Sequence, residues 1–277
     1  MKVFLKIIAS ILIFGFLTVL TQVGGLIYLL SLLTHRLTDK WAKNNYILSL
    51  YRFISFLILY LFCTFLIIPF IAKPFGREPL PLLEKNHLQP LNVFTFLLNR
   101  NYVKSELKEI VFSVANKMNE KYPGTTVNYL DANFPFVNGF PLIPHLSHND
   151  GKKLDLSFCY KDSKTGISTN NCPSFIGYGV CEEALPGEIN TSDICSKKGQ
   201  WQYTIMSKIV SQKNKADFLF DPEKTKALVV LFSLMPPIEK IFIEPHLKNR
   251  LKITSGKVRF HGCHAVRHDD HLHVQIK

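Results

Sequence analysis

The feature that most constrains this chain is the absence of any charged residue from Ile7 to Thr34. These 28 residues exceed the ~20 that an α-helix needs to cross a bilayer. Lys2 and Lys6 precede the run as they would in a signal peptide, but a cleaved signal has an apolar core of only about 7–15 residues. The reading is an uncleaved transmembrane helix, bent at Gly24-Gly25. A polar loop with Arg36, Lys40 and Lys43 follows, and then a second uncharged run of 19 residues, Phe53 to Ile71, suited to a second span. Pro69 lies near its end, where it is tolerated. Two spans put both flanks of the anchor on one side of the membrane. Charge does not choose the side, because Arg36, Lys40, Lys43 and Arg52 balance Lys2, Lys6, Lys73 and Arg77.

The remainder reads as one domain. Residues 1–77 form the anchor, 78–102 a linker punctuated by Pro79, Pro81 and Pro90, and 103–277 a domain large enough for a real core. The net charge is +12, yet the 200 residues beyond the anchor carry 25 Lys and Arg against 20 Asp and Glu. That excess is mild and scattered, with no basic stripe interleaved with aromatics, which argues against a nucleic-acid partner. An anionic polymer such as a cell-wall strand remains compatible. Of six cysteines, Cys63 sits in an apolar run as an inert core residue. Cys159, Cys172, Cys181 and Cys195 have spacings that match no zinc ribbon. They read as disulfide staples on a 159–200 insertion in an oxidising compartment, with Cys263 left over or pairing to strand another. That points weakly to a domain facing outward.

Within the domain, Val103, Leu107, Ile110, Val111, Val114, Ala115 and Met118 mark one face of an amphipathic helix ended by Pro123-Gly124. Thr125 to Leu130 and Leu154 to Phe158 read as strands, Thr225 to Leu234 as a buried helix, and Ile241 to Ile243 as a short strand before a helix at His246–Leu251. Five of the ten histidines crowd between His261 and His273. The stretch from Asp270 to Ile276 reads as a strand, in which residues i and i+2 share a face roughly 6.6 Å apart. His271 and His273 then aim two imidazoles at one point, with Leu272 and Val274 turned into the core. Upstream, His145, His148 and Asp155 form a second cluster. Two histidines and a carboxylate, with one position left open, make the ligand set of a catalytic zinc. The other histidine of a His-x-His pair is then free as acid or base. His261 and His264 read better as loop histidines than as a second metal pair, and His145 better as a pocket residue than as a fourth ligand. Asp269 or Asp270 can orient an imidazole, and Asp269, sharing the His271 face by alternation, is the preferred carboxylate.

These residues resemble a known family. His145-x2-His148-x2-Gly151-x3-Asp155, with Arg267-His268-Asp269-Asp270-His271-Leu272-His273-Val274-Gln275, is similar to the motif pair of the penicillin-insensitive murein endopeptidases. Those belong to a wider group of lysostaphin-type, D-Ala-D-Ala-cleaving and hedgehog-type zinc domains. The resemblance spans roughly residues 103–277. It implies Zn²⁺ held by His148, Asp155 and His273, with His271 and His268 in acid/base and transition-state roles. It also implies peptidoglycan or muropeptides as substrate. Lys152 and Lys153, the two spans and the 159–200 insertion depart from the family. The expected fold is α+β, a small antiparallel sheet carrying the zinc with flanking helices, preceded by two transmembrane helices. The expected function is a metallopeptidase of the inner membrane, its domain facing the periplasm or outside, cutting D-amino-acid peptide bonds. The alternative is a non-catalytic, zinc-stabilised binding module of hedgehog type, to which an unliganded His271 would be of no use. A two-histidine phosphoesterase would want a hydroxyl residue where His273 stands.

Overall fold

The computed structural model describes residues 2–41 and 44–277. Two helices are long and apolar enough to cross a membrane, Phe4–Thr21 and Asn45–Phe75. The uncharged run from Ile7 to Thr34 is not one bent helix, however. Helix α1 (Lys2–Thr21) ends where Gln22 turns to φ 66°, and α2 (Gly24–Ser31) runs back along it. The Thr21 hydroxyl accepts the Gly24 N–H at 2.7 Å, and Tyr28 bonds Ser10 across the hairpin at 3.1 Å. Glycine is required here: a Cβ on Gly25 would collide with the Thr18 hydroxyl and the Phe14 carbonyl. A short 3₁₀ turn leads from α2 into α3 (His35–Trp41). Helix α4 (Asn45–Phe62), capped by Asn44, then runs antiparallel to α2, with Ser55 bonded to Thr34 at 2.6 Å and Arg52 paired with Asp39 at 2.8 Å. A π-turn (Cys63–Ile67) absorbs the missing N–H of Pro69 before α5 (Ile68–Ala72).

This overturns the expectation that both flanks of the anchor lie on one side, since the start of α1 is at the end remote from the domain, and it changes the charge count. The hairpin gathers Lys6, Arg36, Lys40 and Arg52 at one end of the helices, while Lys43 lies outside the described residues. The hairpin tip and the top of α4 meet the domain instead. Gln22 accepts the Phe136 N–H at 2.8 Å, and the Tyr60 hydroxyl donates to the Leu97 carbonyl at 2.6 Å. Arg77 is no flanking charge, since it is buried and donates to Asn138 at 2.6 Å.

The domain begins within the stretch read as a linker. Its elements are β1 (Glu78–Pro79), β2 (Leu88–Pro90), α6 (Val93–Leu97), β3 (Tyr102–Val103), α7 (Ser105–Lys121), β4 (Val127–Tyr129), β5 (Lys153–Ser157), β6 (Tyr160–Asp162) and β7 (Ser168–Thr169). There follow α8 (Thr191–Lys197), α9 (Ile205–Ile209), β8 (Phe218–Phe220), α10 (Pro222–Leu234), β9 (Ile238–Phe242), α11 (Pro245–Arg250), β10 (Val258–Arg259) and β11 (His271–Ile276). Six strands form the main sheet in the order β10-β9-β11-β5-β4-β2. Its centre is antiparallel as expected, but both edge pairs, β10 with β9 and β2 with β4, are parallel, so the sheet is mixed. β1 pairs with β3, and β2 is part of the main sheet, so residues 78–102 are packed structure rather than linker.

One face of the sheet buries the core. Leu154, Leu156, Leu272 and Val274 are fully covered, and α7 and α10 pack over them. The buried face of α7 is Leu107, Ile110, Val111, Val114, Ala115 and Met118, as its periodicity predicts. The other face carries Asp155, His271 and His273. The insertion is not stapled to itself. Cys195 on α8 bonds Cys263, while Cys159, Cys172 and Cys181 are free thiols. The bridge ties α8 to the histidine-rich loop beside the site.

Candidate metal and catalytic site

Strand register builds the centre of the site. His273 pairs directly opposite Asp155, and His271 opposite Ser157. The period of two sends both imidazoles to the face away from the core, beside Asp155. His148 arrives from the loop before β5. That loop turns at Gly151, whose φ of 80° and close packing on Arg77 leave no room for a Cβ. The glycine of the upstream motif is therefore a packing requirement.

Three donor atoms converge. His273 Nδ1 lies 2.8 Å from Asp155 Oδ1, His148 Nε2 lies 3.2 Å from that same oxygen, and the two imidazole nitrogens are 3.1 Å apart. All three residues are buried. His148 Nδ1 sits 2.6 Å from the Ala132 carbonyl, which only accepts, so this nitrogen carries the proton and donates. With Nδ1 given to that carbonyl, Nε2 is directed at a carboxylate oxygen, an arrangement that suits a cation held between them. Donors 2.0–2.2 Å from a tetrahedral ion stand about 3.3–3.6 Å apart. The observed triangle, with edges of 2.8, 3.1 and 3.2 Å, needs to open by about 0.1–0.8 Å to reach that spacing. His148, Asp155 and His273 thus form a group that could hold a metal ion.

Electrostatics agrees with that use. Burial, helped by the neighbouring His148 and His271, outweighs Asp155 and pushes the His273 pKa down to about 4, so the ring is neutral and able to ligate. Asp155 stays ionised: burial works against it, but His148 and His271 hold its carboxyl well below the usual range. Its second oxygen, Oδ2, accepts a hydrogen bond from the Tyr178 hydroxyl at 2.9 Å. Oδ2 also faces His145 Nδ1 at 3.5 Å and His271 Nε2 at 3.7 Å, a second group of three with ion-holding chemistry. That set is looser, and His145 Nδ1 is already bonded to Asp131 at 3.1 Å.

His271 is held by Asp270, not by Asp269. Its Nδ1 donates to Asp270 Oδ1 at 2.5 Å, and Asp270 Oδ2 accepts the Gly179 N–H at 2.5 Å. Alternation misassigned the partner because β11 starts at His271, so Asp269 is not on the strand. Asp269 turns away to a bidentate pair with Arg267, which also reaches Glu183. Burial alone would depress His271, but Asp155 and Asp270 outweigh it and raise the imidazolium to about 9. Its Nε2 is buried without a hydrogen-bond partner. His268 packs its ring 4.9 Å from that of His271, and burial drives its pKa well below the ordinary value. His261 stacks on Phe242 with ring centroids 4.2 Å apart.

Asp131, Tyr178 and Arg100 were not singled out in the sequence. Arg100 pairs with Asp131 at 2.9 Å, Asp131 holds His145, and Tyr178 steadies Asp155. A polar residue just past a buried strand, as Asp131 is, was the one available signal. A cavity of about 750 Å³ opens over the site, with His145, His148, Asp155, His268, His271 and His273 in its floor. No protein-family model matches this sequence, and no curated protein matches it.

Proposed function

We propose that this chain is a membrane-anchored, zinc-dependent metallopeptidase that hydrolyses D-amino-acid peptide links of peptidoglycan. One observation carries the reading: a metal-type donor triangle and a separate, buried Asp270–His271 pair share the floor of one open cavity. A site serving only structure has no need of the second element. Two imidazoles and one carboxylate, with a side open to the cavity, suit Zn²⁺ in catalytic use. Zinc bound there would supply Lewis acidity, polarising a carbonyl and acidifying water.

The protein's own groups do the proton work. A cation on Asp155 would cancel the foremost influence raising His271, leaving a neutral ring whose Nδ1 proton Asp270 holds and whose Nε2 can take a proton from the attacking water and deliver it to the leaving amine. Asp270 also stabilises the imidazolium that forms. Tyr178 engages Asp155 Oδ2 and so reserves Oδ1 for the ion. His268, neutral and in the cavity floor, is placed to donate a hydrogen bond to charge developing on the substrate.

The hairpin supports an outward-facing domain. Grouping Lys6, Arg36, Lys40 and Arg52 at the end remote from the domain favours that end as the cytoplasmic one by the positive-inside rule. A disulfide beside the site fits an oxidising compartment. The test is metal content and muropeptide cleavage, read by mass spectrometry, for two variants. His273→Ala should purify with little zinc and no activity. His271→Ala should keep about one zinc per chain and lose roughly 10²–10⁴ in rate. Normal cleavage by both variants would end the peptidase reading. A wild-type chain that binds zinc yet cleaves no muropeptide would favour a binding module.

A further inference from the structure

We infer that the substrate's peptide is carried on a membrane lipid, a wall precursor still attached to its lipid rather than the polymerised wall. This rests on the peptidase reading and names the substrate class for that site. The cavity floor is polar, but its rim is not. Ile143 and Leu146 line one side, and Trp201, Ile205, Met206 and Ile209, from two short helical turns just after the insertion, line the other. Leu146, Trp201 and Ile209 are 60%, 69% and 71% exposed. Single exposed apolar residues need no explanation, but a ring of them around one catalytic cavity does. A wall strand of sugars and short polar peptides would leave these side chains uncovered.

The rim is continuous with the membrane anchor. The Ile143 carbonyl accepts from Arg100 at 2.7 Å, and the adjacent Asn99 donates to Tyr60, on the spanning helix, at 3.0 Å. A second link starts at Phe175, which packs edge-on against Phe94 at 6.1 Å and whose carbonyl accepts from Asn92 at 3.2 Å. Three residues later the Tyr178 ring lies 4.5 Å from the His145 ring. Three residues of chain reach at most about 11 Å. Val93, Phe94, Val137 and Phe175 form an exposed apolar collar where α4 and α5 enter the domain. An amphiphile anchored in the bilayer can lay its chain across collar and rim while its peptide reaches His271. The disulfide between Cys195 and Cys263 holds the rim's helical half against the histidine loop.

The test uses the full chain in lipid nanodiscs. Trp41→Phe leaves Trp201 as the sole tryptophan, a reporter inside the rim. Two probes share one disaccharide-pentapeptide, one free and one joined through diphosphate to a polyprenyl chain. The lipid-linked probe should bind at least tenfold more tightly, shift Trp201 emission to the blue and be cleaved faster. Leu146→Glu and Ile209→Glu, with metal content showing that the domain is folded, should erase that preference. Equal affinity for the two probes, or a preference that survives both variants, overturns the inference. Cleavage of both probes with equal affinity would leave the peptidase reading standing and point to the polymer. Preferential binding with cleavage of neither would remove the peptidase reading and keep the lipid-binding rim.

Discussion

Replacing Asp270 by Asn changes one atom, and its expected cost can be worked from the geometry. Asp270 makes two bonds, from His271 Nδ1 and from the Gly179 N–H, each at 2.5 Å. An asparagine oxygen can keep the Gly179 bond, which leaves its NH₂ group facing His271. Nδ1 must then accept, so the proton moves to Nε2, the atom that should be receiving one. The charge is lost as well. Raising an imidazolium from 6.5 to about 9 corresponds to about 3 kcal/mol at 1.36 kcal/mol per pKa unit. Asp155 and Asp270 are its main favourable sources. Losing the Asp270 share weakens the hold on the imidazolium that forms, and the wrong tautomer, which blocks Nε2 from receiving a proton, is the larger cost. The expected loss in kcat is on the order of 10²–10³, inside the usual range for a positioned base. Zinc content should be unchanged, because Asp270 lies outside the donor triangle. The assay is muropeptide cleavage with zinc measured on the same samples. A variant that keeps zinc and full activity would refute the role given to the Asp270–His271 pair.

Other outcomes follow from the same structure. Thiol counting on denatured, unreduced protein should find four free cysteines, Cys63, Cys159, Cys172 and Cys181, and six after reduction. The Cys195–Cys263 bridge spans a separation of 68 residues, so Cys263→Ser should cost about 4 kcal/mol in unfolding, and an unchanged urea midpoint would contradict this. An alkaline phosphatase fused after Lys277 should be active and one inserted between Arg36 and Arg52 inactive; the reverse pattern would invert the topology and end the wall-substrate reading. Asp131 is buried, yet Arg100 and His145 hold its carboxyl below its ordinary value. Its stabilising contribution is therefore complete above pH ~3.9 and fades as pH falls through the lower folded value. Asp131→Asn should lose about 3 kcal/mol at neutral pH and flatten the urea midpoint below pH 4, whereas a steep acid transition kept by the variant would contradict the assignment.

What could be read from the sequence was whatever depends on local period. Leu272 and Val274 alternate with His271 and His273, so the strand and its two faces were visible without a fold. The α7 face was visible for the same reason. Direction and pairing were not. Hydropathy registers how apolar Ile7 to Thr34 is, but not that Gln22 reverses the chain, and so the cation count appeared tied. Asp270 was ranked behind Asp269 because alternation was carried two residues beyond the start of the strand. Tyr178 and Asp131 come from loops brought in by tertiary contacts, at separations where no period operates. The Cys195–Cys263 pairing is likewise spatial. Pro90 made β2 look like linker, although as an edge strand it tolerates a missing N–H.

The place of β11 in the sheet has a consequence for biogenesis. It lies between β9 and β5, and every strand on either side is made before it. Until it inserts, β10-β9 and β5-β4-β2 are two fragments, each with an open edge. Closing them joins Asp155 to His273 across 118 residues, the kind of distant contact that makes folding slow. The same insertion brings the third donor to the triangle and His271 to the cavity. Sheet closure, metal affinity and proton-transfer machinery therefore arise in one event, coupled as metal binding and folding commonly are. On the function proposed above, a nascent chain whose last strand is still missing would carry no hydrolytic power. A hydrolase built this way would be its own zymogen, activated by the arrival of a strand rather than by the removal of a peptide.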